Sequence, residues 1–230
     1  IEAAVKNADR GFADIAFFES GLIFEDTDVK GQKRVLAAIR AGKNSSKNIH
    51  SDVRNVDLFD IKADLLEALE AASAPVENLK AEKSANKWYH PGKSGVLKLG
   101  KNILAEFGEL HPSILKEMDS GVNIVAFEIF LDNIPEQTAK KTKARKKLEL
   151  SEYQSSTRDF AFIIDEKTPA DDIIRAAKGA DKKLIENVSL FDVYKGKGVD
   201  DNKKSVAISV YIQSKEHTCL LYTSDAADES

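Results

Sequence analysis

The strongest strand signal in the first 150 residues is the stretch Asn123-Ile-Val-Ala-Phe-Glu-Ile-Phe-Leu131, which is apolar at almost every position. Apolar side chains on both faces are typical of a strand buried on both sides, near the centre of a sheet. Just before it, residues 94–99 and 103–110 form two extended runs around Gly100-Lys-Asn102, a sequence typical of a hairpin. We therefore predict a sheet in which residues 123–131 are central.

The residues further upstream add helices and strands around this sheet. Residues 14–24 are rich in aromatic and β-branched side chains and predict a strand. Residues 34–40 fit a buried strand or a short helix equally well. Residues 57–69 repeat apolar side chains at helical spacing and predict an amphipathic helix, and residues 1–10 predict a short helix that ends at Gly11.

A different pattern fills the last third of the chain. Residues 158–164 predict a strand, followed by a helix with Thr168 as its N-cap and Pro169 at its first position. Residues 188–194 predict a second strand, and residues 204–213 a third with clean apolar–polar alternation. Strand, helix, strand, strand is the first part of a ferredoxin-like βαββαβ unit. We therefore predict an α+β protein.

Composition shifts mark the domain organisation that we expect. Residues 139–150 form a basic linker, in which a solvated run and a phosphate-binding patch are both open interpretations; its cations are Lys140, Lys141, Lys143, Arg145, Lys146 and Lys147. It separates a first domain, residues 1–138, from a second, residues 151–218. The tail, residues 219–230, has no strand period and no helix cap, so we expect it to be non-native and the second domain to be incomplete.

Charge and composition exclude several classes of protein. Lys and Arg total 34 against 38 Asp and Glu, a formal net charge of −4, so any contact with phosphate must be local. One cysteine, Cys219, excludes an internal disulfide framework. No apolar run reaches the roughly 20 residues that span a bilayer. We expect a cytoplasmic protein without membrane contact and, because residue 1 is Ile and the only Met is Met118, a piece of a longer protein.

Catalytic motifs are weak or incomplete in this chain. Residues 92–94, Gly-Lys-Ser, fit the end of a phosphate-binding loop, but position 87 is Lys where that motif needs Gly, so we predict a tight turn. His90 and His111 each precede a proline without metal-ligand spacing, which favours a structural or hydrogen-bonding role. We find no G-x-S-x-G nucleophile motif. The sequence therefore predicts no catalytic residue and no metal site.

Six stretches, taken in order, resemble the C-terminal part of the bacterial phenylalanyl-tRNA synthetase beta subunit family. The strongest is HPGKSGVLKLGKNILAEFGELHP, from His90 to Pro112. The others are DIAFFESGLIF from residue 14, DLFDIKADLLEAL from residue 57, VAFEIFLD from residue 125, STRDFAFIIDE from residue 156 and LFDVYKGKGVDDNKKSVAISV from residue 190. The resemblance extends to about Thr218, and the tail does not resemble the family.

The resemblance implies a division of labour between two domains. Residues 1–138 would be a class II synthetase-like antiparallel sheet module, incomplete at its N-terminus and without an active site. Residues 151–218 would be a ferredoxin-like domain, truncated to βαββ, that binds the tRNA anticodon region. ATP-dependent charging of tRNA with phenylalanine would take place on an alpha subunit, in an assembly of two alpha and two beta chains. ATP and Mg²⁺ would serve the whole enzyme, with no cofactor bound by this segment.

The interpretation that we favour for the second domain is RNA binding. Tyr211 on the outward face of the third strand is suited to stacking on an unpaired base, while Phe160 and Phe162 are expected to point into the core. Hydroxyl and amide groups of the same face would meet sugar or base edges: Ser205, Ser209 and Gln213. Cations near the strand ends would contact phosphates: Arg158, Lys195, Lys197, Lys203 and Lys204.

Two other functions stay open from the residues alone. A ferredoxin-like regulatory or ligand-binding module on an α/β domain would bind a small molecule and not RNA, and the missing cysteine pair disfavours its metal-transport forms. An autonomous nucleotide-dependent enzyme would need the phosphate-binding loop that residues 92–94 do not complete.

Overall fold

The computed structural model describes residues 1–24, 26, 31–49, 53–136 and 151–215. The predicted basic linker, residues 139–150, and the tail, residues 219–230, lie outside the described residues. The chain forms two compact units, residues 1–142 and 143–230, and each contains an antiparallel sheet. The predicted α+β class is confirmed. In the described part of the chain, no helix is both long enough and apolar enough to cross a membrane.

The first unit is built on a six-stranded sheet in the order β1-β2-β6-β5-β4-β3. Its helices are α1 (Glu2–Asp9), α2 (Leu58–Ala71) and α3 (Pro112–Glu117), with 3₁₀ turns at Val76–Asn78 and Leu131–Asn133. Its strands are β1 (Ile15–Phe24), β2 (Gln32–Ala41), β3 (Lys80–Glu82), β4 (Tyr89–Leu99), β5 (Asn102–Leu110) and β6 (Ile124–Phe130). The ambiguous stretch at residues 34–40 is therefore a strand, and β6 is central as predicted because it pairs with both β2 and β5.

One face of this sheet is covered by α2. Three side chains at helical spacing, Ile61, Leu65 and Leu69, are fully buried and pack in the same cluster as Leu104 and Ile129 of the sheet. A repeat of four residues keeps such side chains on one stripe of a helix. The main core of the first unit therefore lies between α2 and the central strands.

The helix α2 begins at a reciprocal capping box. The Asp57 carboxylate accepts hydrogen bonds from the backbone N–H groups of Phe59, at 2.8 Å, and Asp60, at 3.3 Å. In return, the Asp60 carboxylate accepts one from the backbone N–H of Asp57, at 2.8 Å. Arg54 also donates to Asp60 at 2.7 Å, and this hydrogen bond is the largest effect that holds the pKa of Asp60 below its usual value.

The tight turn predicted at residues 92–94 is wrong. These residues belong to β4, which begins at Tyr89 and has irregular pairing with β5 between Tyr89 and Ser94. Lys93 forms an ion pair with Glu109 of β5 at 2.9 Å. The turn-forming residues 92–94 thus lie in an irregular part of a strand. A sequence pattern does not distinguish such an irregularity from a turn.

The second unit has the strand–helix–strand–strand order that was predicted. Its elements are β7 (Ser156–Asp165), α4 (Ala170–Ala180), β8 (Ile185–Tyr194) and β9 (Lys203–Ile212). The sheet order is β7-β9-β8, with both pairings antiparallel. The helix packs on one face of the sheet, where the buried side chains are Val188, Val206, Ile208 and Val210.

Two details of this unit differ from the sequence predictions. Thr168 is not the N-cap: Pro169 holds that position, without a side-chain cap hydrogen bond, and the helix runs through Gly179 to Ala180. Phe160 and Phe162 lie opposite Ile208 and Val206 and so face the helix side. They are nevertheless 47% and 41% exposed, because α4 packs against β8 and β9.

The capping box yields a test of the first unit. Asp57→Ala removes both acceptor contacts to the helix N-terminus, and we expect a loss of about 1 kcal/mol of unfolding free energy. Urea unfolding followed by the fluorescence of Trp88, the single tryptophan of the chain, measures it. Glu67→Ala, on the exposed side of the same helix, is the matched control and should change stability by less than about 0.5 kcal/mol. Equal effects of the two substitutions would contradict the capping role.

Candidate nucleic-acid interface

The candidate interface is the sheet face of the second unit opposite α4. Side chains alternate along a strand, and directly paired residues of neighbouring strands share a face. Because Val206, Ile208 and Val210 face the helix, Ser205, Ser209 and Tyr211 face away from it. The predicted alternation of β9 is therefore confirmed, and it brings these three predicted site residues onto one surface.

This face consists of rows of side chains that run across three strands. Thr157, Tyr211 and Asn187 form one row, with the tyrosine in the middle. The next row is Asp159, Ser209 and Ser189, followed by Ala161, Ala207 and Asp192, and then Ile163, Ser205 and Tyr194. Tyr211 and Ser205 are about 20 Å apart along the strand. The face is thus an elongated, largely polar strip.

Gln213 lies just beyond the end of β9 and belongs to a different local network. Its side-chain amide donates a hydrogen bond to the backbone carbonyl of Tyr153, at 3.1 Å. Its backbone N–H donates to the carbonyl of Leu184, at 2.8 Å. The residue therefore anchors the chain at the Tyr211 end of the strip.

Arg158 and Lys204 do not join the strip. Arg158 lies opposite Val210, and Lys204 lies opposite Ile164, so both belong to the helix-facing side of the sheet. The reason is the two-residue period of a strand, which sends neighbours such as Lys203 and Lys204 to opposite faces. The structure thus separates these two cations from the other three that were predicted.

The turn between β8 and β9, together with the first residue of β9, carries three of these cations: Lys195, Lys197 and Lys203. Gly198 has a φ of +94° and Asn202 a φ of +68°, which are backbone conformations that most L-residues avoid. This turn places the lysines beyond one end of the sheet, beside the row that contains Ser205. The cations are therefore clustered at the end of the strip remote from Tyr211.

Two of the turn lysines already have carboxylate partners. Lys203 pairs with Asp200 at 2.8 Å, and Lys195 pairs with Glu166. The hydrogen bond between Lys203 and Asp200 raises the pKa of the lysine and lowers the pKa of the aspartate. Ion pairs this exposed to water contribute little net free energy, so an incoming phosphate can replace either carboxylate at small cost.

Sequence reasoning missed the residues that β7 and β8 contribute to the strip. Thr157 and Asn187 flank Tyr211, while Asp159 and Asp192 bring negative charge to its middle. The alternation of β7 contains the signal for the first strand. On β8, a register shift between Leu190 and Asp192 puts Ser189 and Asp192 on the same face, and no simple alternation predicts that.

The two histidines singled out in the first unit have hydrogen-bonding roles, as predicted. His90 Nδ1 accepts from the backbone N–H of Gly92 at 3.0 Å. His111 is the N-cap of α3, and its Nδ1 accepts from the backbone N–H of Ser113 at 3.2 Å. Within the described ranges, no group of three or more His, Cys, Asp or Glu side chains is placed to hold a metal ion.

Comparison with known families matches both units. The family model "Phenylalanyl tRNA synthetase beta chain CLM domain" matches residues 1–131. The model "Ferredoxin-fold anticodon binding domain" matches residues 151–220. These matches do not favour the regulatory-module alternative.

Curated relatives are described as phenylalanine–tRNA ligase beta subunits. That of Bradyrhizobium diazoefficiens is 46% identical over 222 residues, covering 95% of this chain and 28% of the relative. That of Mesorhizobium japonicum is 45% identical, with the same coverage of 95% and 28%. That of Bartonella henselae is 47% identical over 94% of this chain and 28% of the relative. The chain thus spans about 28% of the length of these relatives.

The backbone conformation of the turn that carries the lysines can be tested by substituting Gly198. Gly198→Ala places a side chain at a positive φ, which costs about 1–2 kcal/mol, although no atom lies within 4 Å of the added Cβ. Gly179→Ala is the matched control, since its Cβ also meets no atom within 4 Å and alanine in a helix should stabilise by about 0.5–1 kcal/mol. Amide hydrogen exchange of β9 should therefore accelerate in the first variant and slow in the second. The same direction in both would refute the strained turn.

Proposed function

This chain belongs to the phenylalanine–tRNA ligase beta subunit family, and from that membership we propose that it is part of the enzyme that charges tRNA with phenylalanine at the expense of ATP. The observation that carries the proposal is the match of both units, in order, to two domain families of that enzyme. The relatives' identity of 45–47% over nearly the whole chain supports it.

We propose that the two units have different tasks. The first, residues 1–138, would act as a non-catalytic class II synthetase-like module that supports the ligase structurally. The second, residues 151–218, would bind the anticodon region of the tRNA, with residues 139–150 as a basic linker and residues 219–230 as a tail that does not take part. The match of the second unit to a family of anticodon-binding domains supports this assignment.

The partners that we propose follow from the name of the relatives. A beta subunit requires another subunit, so we propose an alpha chain that carries the chemistry, in a two-alpha, two-beta assembly. ATP and Mg²⁺ would be used by the whole enzyme and not held by this segment. A cytoplasmic location is proposed for the same enzyme, because tRNA charging serves protein synthesis there.

Tyr211 is the proposed stacking platform for an unpaired base of the anticodon region. It lies between Thr157 and Asn187, whose hydroxyl and amide groups are suited to hydrogen bonds with base edges. Stacking on an aromatic ring favours unpaired bases whatever their identity. The polar neighbours in the same row would then supply the discrimination between bases.

Phosphates would bind at the other end of the strip. Asp159 and Asp192 lie between Tyr211 and the lysine turn, and their negative charge disfavours phosphate over the middle of the strip. Lys195, Lys197 and Lys203 would exchange their carboxylate partners for phosphate oxygens. Bound RNA would thus present bases to the strip and phosphates to the turn, while Arg158 and Lys204 contact only RNA that wraps around the sheet edge.

The stacking role of Tyr211 is tested with the full chain and a labelled anticodon stem-loop of phenylalanine tRNA. Tyr211→Ala should weaken binding about 5- to 150-fold, since one stacked base contributes about 1–3 kcal/mol. Tyr211→Phe keeps the ring and should bind within about threefold of the unaltered chain. Fluorescence anisotropy at fixed salt measures both affinities. An equal loss in the two variants would argue for the hydroxyl group and against stacking.

The phosphate contacts are tested by charge reversal in the complete ligase that contains this segment. Lys203→Glu with Lys204→Glu should weaken tRNA binding more than it slows ATP–pyrophosphate exchange driven by phenylalanine. Lys203→Glu alone should cause most of the loss, because Lys204 faces the helix side. The salt dependence of binding should fall by about one counterion for each lost phosphate contact.

The matched control for this charge change is Lys101→Glu with Lys116→Glu, two exposed lysines of the first unit. Its effect on tRNA binding should be small. Equal loss of tRNA binding and phenylalanine activation in the Lys203–Lys204 variant would count against this surface, and so would no loss of either.

A further inference from the structure

A cavity of about 410 Å³ opens on the face of the first sheet opposite α2. Phe107 and Phe127 belong to the cluster beneath α2, so their neighbours Glu106 and Glu128 point to the other face. The cavity lies on this second face, and Glu128 is part of its lining. It belongs to the first unit, and its interpretation does not rest on the tRNA-binding role of the second.

A row of side chains crosses four strands beside the cavity, and three of its members, Glu19, Ala37 and Glu128, line it. Glu19 of β1 lies opposite Ala37 of β2, Ala37 lies opposite Glu128 of β6, and Glu128 lies opposite Glu106 of β5. Strands lie about 4.8 Å apart, so the Cα atoms of Glu19 and Glu128 are about 10 Å apart. The small alanine between them leaves space that both carboxylates border.

The remaining walls are apolar and aromatic. Trp88 and Tyr89 line the cavity with their ring centroids 6.3 Å apart, together with Phe17 and Ile39. Trp88 and Tyr89 lie close enough to Glu128 for their polar side-chain groups to lower the pKa of its carboxyl group. The carboxylate of Glu128 therefore borders a largely apolar and aromatic space.

No cation of the described part of the chain forms an ion pair with this row of carboxylates. Glu106 is 6% exposed and accepts hydrogen bonds from the backbone N–H and side-chain amide of Asn86, at 3.1 and 3.5 Å. Burial and then the charge of Glu106 raise the pKa of Glu128. Like charges directly opposite on neighbouring strands destabilise a sheet. A bound cation would therefore reduce the repulsion between Glu106 and Glu128.

We propose that this cavity binds an organic ammonium ion, with the ammonium group between Glu19 and Glu128 and its hydrocarbon stem against Trp88 and Ile39. Carboxylates form charge-assisted hydrogen bonds with an ammonium group, and an indole ring attracts a cation over its face. An apolar stem can pack against the apolar walls of the cavity. A hydrated metal ion has no apolar surface with which to do so. The shared chemistry is a primary amine on an aliphatic or aromatic stem, either a free amine or a lysine side chain of a polypeptide.

Trp88 provides the measurement, because it is the only tryptophan of the chain and lines the cavity. The full chain is titrated with 2-phenylethylamine while Trp88 emission is recorded. We expect a saturable change with the amine and none with 2-phenylethanol, its neutral counterpart, or with 3-phenylpropionate, an anion of similar size. A folded protein that shows no saturable change with the amine, or an equal change with the alcohol, overturns the proposal.

Two variants distinguish the contribution of the Glu128 charge to amine binding from that of the space beside Ala37. Glu128→Gln keeps the shape and should weaken amine binding at least about tenfold, a typical loss for a charge-assisted contact. Ala37→Leu should fill the gap between the carboxylates and abolish binding without changing any charge. Glu70→Gln, exposed on α2 at the opposite side of the sheet, is the matched control and should bind like the unaltered chain. Unchanged affinity in both Glu128→Gln and Ala37→Leu would overturn the site.

The source of the amine is decided by a second titration, with a lysine residue blocked at both its amino and carboxyl ends. Binding of the blocked lysine at least as tight as that of 2-phenylethylamine assigns the cavity to a side chain of a polypeptide. Tighter binding of 2-phenylethylamine assigns it to a free amine. If neither amine binds to a chain that still binds the anticodon stem-loop, this inference is refuted and the proposed function is unaffected.

Discussion

Fixed register around a central strand determines the chemistry of both sheets. β6 is held between β2 and β5, and β9 is held between β7 and β8. A shift by one residue would send every side chain of such a strand to the other face. The buried apolar side of each central strand opposes this shift, and it thereby also fixes which polar side chains share the open face.

Each sheet is covered by a helix in a way that leaves a polar row accessible. Beneath α2, the apolar cluster includes Phe107 and Phe127, and the alternate residues Glu106 and Glu128 must take the other face. Beneath α4, the cluster includes Val206 and Ile208, which leaves Ser205 and Ser209 on the open side. In both units the candidate binding surface is thus the face of the sheet opposite the hydrophobic core, and the packing of the core determines which side chains it presents.

Patterns along one strand were sufficient for much of this fold. The apolar run at residues 123–131 placed β6 at the centre, and the alternation of residues 204–213 placed Tyr211 on the open face. What could not be predicted depends on pairing between strands. The register shift in β8 that brings Asp192 beside Ala207, and the row that brings Glu106 opposite Glu128, join residues far apart in sequence. Single-strand patterns contain no information on such neighbours.

The same residue type has opposite consequences on the two open faces, and solvent is the cause. Asp159 is exposed, so its charge is screened by water and acts mainly by discouraging phosphate from the middle of the strip. Glu106 is buried, so its charge acts on Glu128 with little screening and adds to the larger effect of burial in raising the pKa of that carboxyl group. A carboxylate on a solvent-exposed face therefore repels a polyanion. A carboxylate on an apolar face is instead stabilised by a bound cation.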